Sequence, residues 1–288
     1  MSAIDISEDK LIRDYPDILN ILLQDRTTRK KIIWATNSYE YLGEGFLASD
    51  QISESRITGA FCNLIMPRVV KSKEEQKSRT KLNAEVFTPT WIVKKQNSLV
   101  EKDYKSDDLQ TYIDRKWLEV SCGEAPYMTT RYDMETGAFI PVEERVGFVD
   151  RKLQRINLDS KYFEEWFKFV IKAYRSSYGF EWSGDSLLLA RENLLYTFRD
   201  YYFEKWNKEP NMSELRQIAD VISYNIFQMD GLKFIIPLSD QVEHETSEQL
   251  SLFDEEISTK KEKLITTGKR VKIMNWKTNK LEYFSKEL

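Results

Sequence analysis

The sequence predicts an α/β fold, a sheet with helices on both faces, joined to a mixed α/β N-terminal region. Two observations lead there. Short apolar runs at 117–121, 178–181 and 234–237 alternate with long stretches of helical period, the pattern of strands connected by helices. The 288 residues are 41% apolar and 13% aromatic, enough for a sizeable core in one large domain or one domain with an appendage. The change of texture after Leu82 divides the chain into an N-terminal region, 1–80, and a main domain, 81–288.

Each element follows from local pattern. Residues 8–23 place Leu11, Ile12, Ile18, Leu19, Leu22 and Leu23 on a helical face interrupted at Pro16. A basic turn, RTTRKK, feeds a short apolar strand at 32–35. Residues 66–82 are rich in Lys and Arg and read as an exposed linker or surface helix. An amphipathic helix starts near Thr90, with Pro89 in its first turn, where a missing N–H costs nothing. The strand at 117–121 ends in a turn, CGEAPY, and a hairpin is expected around Thr136-Gly137. Two long helices between 161 and 206 flank the strand at 178–181, with Trp166, Phe167, Phe169 and Tyr174 at core spacing. A helix at 213–224 and a strand at 234–237 follow. Residues 239–263 are polar and acidic and read as a mobile loop, after which the tail alternates like strand.

Composition excludes several classes. No apolar run approaches a membrane span, and the N-terminus lacks the basic-then-apolar layout of a signal peptide. Cys62 and Cys122 make no disulfide framework, so a reducing cytoplasm is the expected home. The single histidine, His244, lies in a polar run, which argues against a Ser-His-Asp triad or a multi-histidine metal site; no metal is expected. With 43 Lys+Arg against 47 Asp+Glu the formal charge is −4, which neither advertises nor excludes nucleic acid. No acidic spacing of a nuclease is found.

The segment Glu119-Val-Ser-Cys122-Gly123-Glu-Ala125-Pro-Tyr127 has the layout of a ligand loop. A tight turn at a strand's C-terminal end lets backbone N–H groups approach a ligand, and Gly123 and Ala125 do not obstruct that approach.

In order, VFTP with its helix, LEVSCGEAPY, YGFEW with LLLARENLL, and QMDGL resemble the successive motifs of adenine-specific DNA methyltransferases of type I and type II-G restriction–modification systems. The resemblance spans about two thirds of the chain, from Ala84 onward. It implies a Rossmann-like methyltransferase sheet that binds S-adenosyl-L-methionine (SAM) and acts on double-stranded DNA in phage defence. Phe87, Thr88 and Pro89 match the segment that packs over SAM. Glu119 stands where the family has Asp, Cys122 and Gly123 match the main cofactor loop, and Tyr127 replaces Phe. Glu181 matches the acid that binds the ribose, since a carboxylate can accept from both sugar hydroxyls. Ala190, Arg191 and Leu194 match the helix behind it, and Asp230 the contact to the cofactor's adenine, with Asn275 a competing placement.

Two departures matter. Ala125-Pro126 replaces the loop's last glycine, stiffening the backbone and removing a donor. The Asn/Asp-Pro-Pro-aromatic tetrapeptide that holds the flipped adenine does not occur in the sequence; it is expected soon after KIMNWKTNKLEYF, near Leu288. Glu124-Ala-Pro-Tyr127 is a partial mimic in the cofactor-loop position. No catalytic residue is therefore assigned, and methylation is expected to need a catalytic or restriction subunit as partner. The alternative is a catalytically inactive methyltransferase-fold subunit that binds DNA or a sliding clamp. Within the polar loop, Gln249, Leu250, Leu252 and Phe253 resemble the pentapeptide by which bacterial proteins dock on the DNA sliding clamp; the same side chains could instead pin the loop to the domain.

Overall fold

A computed structural model describes residues 8–83, 88–240, 242–244, 263–265 and 267–285. The chain starts with α1 (Glu8–Asp14) and α2 (Pro16–Leu23), separated at Pro16 as the pattern predicts. Ile18, Leu19, Leu22 and Leu23 are the buried face of α2. A two-residue pair, β1 (Gln24–Asp25) with β2 (Lys30–Lys31), closes the basic turn. The Asp25 carboxylate accepts the N–H groups of Thr27 and Thr28 inside that turn. The apolar run expected as a strand at 32–35 is not one. Ile33 makes only an isolated bridge to Gln51, and Ala35 turns left-handed at φ 60°.

Helix α3 (Lys73–Asn83) is the expected surface helix, but its basic residues are not all solvated. Arg79 is buried, and its guanidinium donates to Asp185. After α4 (Thr90–Glu101) and α5 (Leu109–Asp114) come the three strands that position the loop. They are β3 (Trp117–Glu119), β4 (Ser177–Glu181) and β5 (Ile226–Gln228), parallel and in the order β3-β4-β5. Parallel neighbours need long crossovers. Helices α6 (Phe148–Asp159) and α7 (Phe163–Arg175) supply the first, and α8 (Gly184–Trp206) and α9 (Met212–Asn225) the second.

The crossover helices pack on one another and on the sheet. Trp166 and Phe198, with Tyr202 and Trp206, form an aromatic cluster between α7 and α8. From Gly184 to Phe198, α8 is buried all round, so it is the central helix of the fold. It ends at Asn207, left-handed at φ 51°. Asn211 and Glu214 cap the start of α9 reciprocally, one residue upstream of the Ser213 start read from the pattern.

Phe180 and Phe227 are register partners and share a face of the sheet. Over β4 and β5 that face is covered by the hairpin of β8 (Lys272–Asn275) and β9 (Lys280–Tyr283), through Val271, Ile273 and Phe284, rather than by a helix. The strand expected at 234–237 is absent. Phe234 and Leu238 are both left-handed, at φ 59°, so the run cannot stay extended, and Ile235 makes only isolated bridges. Within the polar stretch, β6 (Val242–His244) pairs with β7 (Lys263–Ile265). Phe87, Gln249, Leu250, Leu252 and Phe253 lie outside the described residues.

One hydrophobic cluster runs from Leu11 and Leu19 in the first helices to Ile226 in β5, across the boundary drawn at residue 80. Gln228 adds a polar clamp, accepting from the Ile33 N–H at 3.0 Å and donating to the Ile33 carbonyl at 2.8 Å.

Candidate functional site

The loop after β3 is held by the two strand-end acids. Glu119 ends β3, and its two oxygens accept the N–H groups of Tyr127 at 3.1 Å and Met128 at 3.0 Å, folding the loop back over its own strand. Glu181 ends β4; one oxygen accepts the Gly123 N–H at 2.8 Å, the other those of Trp182 at 2.9 Å and Ser183 at 3.1 Å. The Cys122 N–H continues the ladder to the Phe180 carbonyl. Three residues in five are left-handed: Ser121, Gly123 and Ala125 at φ 50°, 52° and 63°. Only Gly123 adopts this without a Cβ penalty, so Ser121 and Ala125 each store about 1 kcal/mol of strain.

Burial raises the proton affinity of both acids. Desolvation pushes Glu119 up to about 8 against the pull of its two backbone N–H donors, with Glu181 adding like-charge repulsion. Glu181 is also raised, again chiefly by desolvation and opposed by its three N–H partners. The Cys122 thiol is buried and its pKa is pushed far up, first by desolvation and then by the two carboxylates, so it is an inert structural cysteine.

A cavity of about 90 Å³ lies at this loop, lined among others by Arg68, Thr88, Glu119, Cys122, Gly123 and Tyr127. The structure thus brings together Thr88, Glu119, Cys122, Gly123 and Tyr127, with Glu181 one hydrogen bond away and Pro89 at the start of α4. The Tyr127 hydroxyl donates to Gln96 on that helix. Asp230 is not brought in. It sits beyond the end of β5, where one carboxylate oxygen accepts the N–H groups of Leu232 and Lys233 and closes its own turn. Asn275 is no better placed, since its side chain caps the β8–β9 turn by accepting from Lys277.

Three residues went unassigned in the sequence. Glu124 is 8% exposed; its carboxylate accepts the Arg68 N–H at 2.6 Å and the Tyr132 hydroxyl at 2.8 Å, while its carbonyl accepts from Asn193 at 3.0 Å. These bonds fix Glu124-Ala-Pro-Tyr127 as loop scaffold rather than a base-binding motif. Arg68 and Asn193 approach from 56 and 69 residues away, and no local pattern marks them.

The cavity is far below the roughly 300–1,000 Å³ of a ligand pocket. Glu181 has spent three of its about four lone-pair sites on backbone N–H groups, leaving too few for a ribose diol. A larger groove of about 520 Å³ opens beside it, at the free edge of β3, and includes Gln96, Tyr104, Trp117, Leu118, Val120 and Tyr127. In the parallel ladder the N–H and C=O of Leu118 point away from β4, and no strand among the described residues pairs with them. Among the described residues no cluster of His, Cys, Asp and Glu could hold a metal ion, and no helix is long and apolar enough to cross a membrane. Compared with known proteins, the chain matches no family model, no curated protein and no solved structure.

Proposed function

We propose that this chain is a methyltransferase-like subunit of a restriction–modification system. In this reading it takes part in adenine methylation of double-stranded DNA together with a partner subunit, and takes SAM at the 119–127 loop. The observation that carries the reading is the convergence of two strand-end acids, Glu119 and Glu181, on one glycine-containing loop between adjacent parallel strands. Cofactor entry requires the Gly123 N–H to leave Glu181, which frees that carboxylate. The need for a partner is supported by the edge of β3, with which no strand among the described residues pairs. The reading also assigns Gln249, Leu250, Leu252 and Phe253 to docking on a DNA sliding clamp.

A second reading, an inactive methyltransferase-fold subunit that binds DNA, is favoured by the closed loop and the occupied lone pairs of Glu181. Calorimetry of SAM binding separates the two, with Gly123→Asp as control. A Cβ at Gly123 meets nothing within 4 Å, and Asp tolerates the left-handed backbone better than most residues, so the variant tests the loop without crowding the core. Micromolar binding lost in Gly123→Asp supports the first reading. Absence of heat in the wild type supports the second. Competent methylation by the isolated chain would refute the need for a partner.

A further inference from the structure

We propose that the lysine face of α3 is the docking surface for the phosphodiester backbone of duplex DNA, at the mouth of the 119–127 loop. The proposal rests on the DNA half of the proposed function and not on its cofactor half.

Lys73, Lys77 and Lys81 recur every fourth residue and so share one face of the helix. They line a groove of about 440 Å³ together with Arg68, Gln76 and Thr80, and no carboxylate lines it. All three lysines are exposed and make no ion pair among the described residues. At 1.5 Å of rise per residue they stand about 6 Å apart and about 12 Å end to end. Each strand of duplex DNA carries one phosphate per about 3.4 Å of the duplex axis, so a row of lysines lying along that axis spans three to four phosphates of one strand.

The groove is built rather than a chance patch. The Gln76 amide donates to the carbonyls of Arg68 at 3.0 Å and Lys71 at 2.9 Å, and Arg68 donates to the Thr80 hydroxyl at 2.8 Å. These bonds fasten α3 over the 68–71 turn. Arg79, on the inner side of α3, is anchored to the buried Asp185. The Arg68 N–H reaches Glu124 in the strand-end loop, and Arg68 lines both the groove and the 90 Å³ cavity. DNA seated on the lysines therefore lies next to the loop. The whole chain is net negative at −4, so a local row of unneutralised lysines orients a polyanion instead of attracting it everywhere.

The test is fluorescence anisotropy with a short labelled duplex and the full chain, from about 50 to 200 mM salt, the range over which phosphate contacts register most clearly. The variant combines Lys73→Ala, Lys77→Ala and Lys81→Ala, which leaves α3 with better helix formers at exposed positions. Lys94→Ala with Lys95→Ala on α4 is the comparison. The slope of log affinity against log salt is expected to become shallower by about 2–3, at up to about 0.9 per phosphate contact, in the α3 variant, and by much less in the α4 variant. Equal losses in both mean diffuse attraction and overturn the proposal, as does an unchanged slope. Inorganic polyphosphate that competes as well as duplex at equal phosphate concentration overturns the assignment to DNA. A shallower slope without SAM binding leaves the groove standing and removes only the cofactor reading; SAM binding with an unchanged slope does the reverse.

Discussion

Arg191 is the residue whose removal the fold should feel most. It is 1% exposed in α8, and among the described residues no carboxylate hydrogen-bonds to it. Its guanidinium donates instead to four carbonyls: Ile226 at 2.8 Å, Gln24 at 2.9 Å, Ser223 at 3.3 Å, and Leu22. Leu22 and Ser223 belong to the last turns of α2 and α9, so the cation is held by the negative ends of two helices. Burial lowers its pKa to about 9, which shows that desolvation is only partly offset. Arg191→Met removes the charge and strands three buried carbonyls and a part-buried one. Charge-assisted bonds are worth about 1.5–3 kcal/mol each, and the recovered desolvation returns part of that sum. The expected net loss is roughly 3–5 kcal/mol, in line with breaking a buried charge cluster. Urea unfolding should show a lower midpoint at unchanged m, and thermal unfolding a drop of roughly 6–10 °C at about 2 °C per kcal/mol. Arg191→Lys should fall between, because one ammonium cannot span acceptors on four elements. A methionine variant within about 1 kcal/mol of wild type, or a lysine variant equal to it, would refute the argument.

Two further predictions concern the same core. Gly147 abuts the loop backbone: a Cβ there would lie 2.2 Å from the Met128 carbonyl oxygen, so Gly147→Ala should cost about 3 kcal/mol or more, and a urea midpoint near wild type would show that the backbone yields freely. Lys152 is buried, with its ammonium donating to the Arg115 carbonyl at 2.8 Å and the Ser176 hydroxyl at 2.6 Å, and desolvation lowers its pKa to about 7. Between that value and its ordinary 10.5 the unfolded chain binds the extra proton, so this residue makes stability rise with pH above 7 by up to about 1.4 kcal/mol per unit. The difference in unfolding free energy between wild type and Lys152→Met, followed from about pH 6 to 9, should grow in favour of wild type; a flat difference contradicts the shift.

By itself the sequence determined α1–α4, α7–α9 and two of the three strands it proposed for the sheet, while α5 and α6 were not read from it. The break at Pro16, the start of α4 after Pro89, and the helix–strand–helix run from Phe163 to Trp206 are local matters of period and backbone chemistry, and they stand where the pattern puts them. It also singled out the Glu119–Tyr127 loop with Gly123, because an acid at a strand end and a glycine in the following turn are adjacent in sequence, whereas Cys122 and Glu181 were named only through the resemblance in motif order. Tertiary structure decided the rest. The runs at 32–35 and 234–237 are as apolar as strands, but neither finds a sheet partner among the described residues, and left-handed residues at Ala35, Phe234 and Leu238 break them. A strand is a pairing of distant segments, so apolar character alone cannot create one. Likewise Arg68, Glu124 and Asn193 meet across separations that carry no periodic signal. Whether Glu181 faces a ligand or its own loop is set by the Gly123 N–H, 58 residues away, and no spacing in the sequence records that bond.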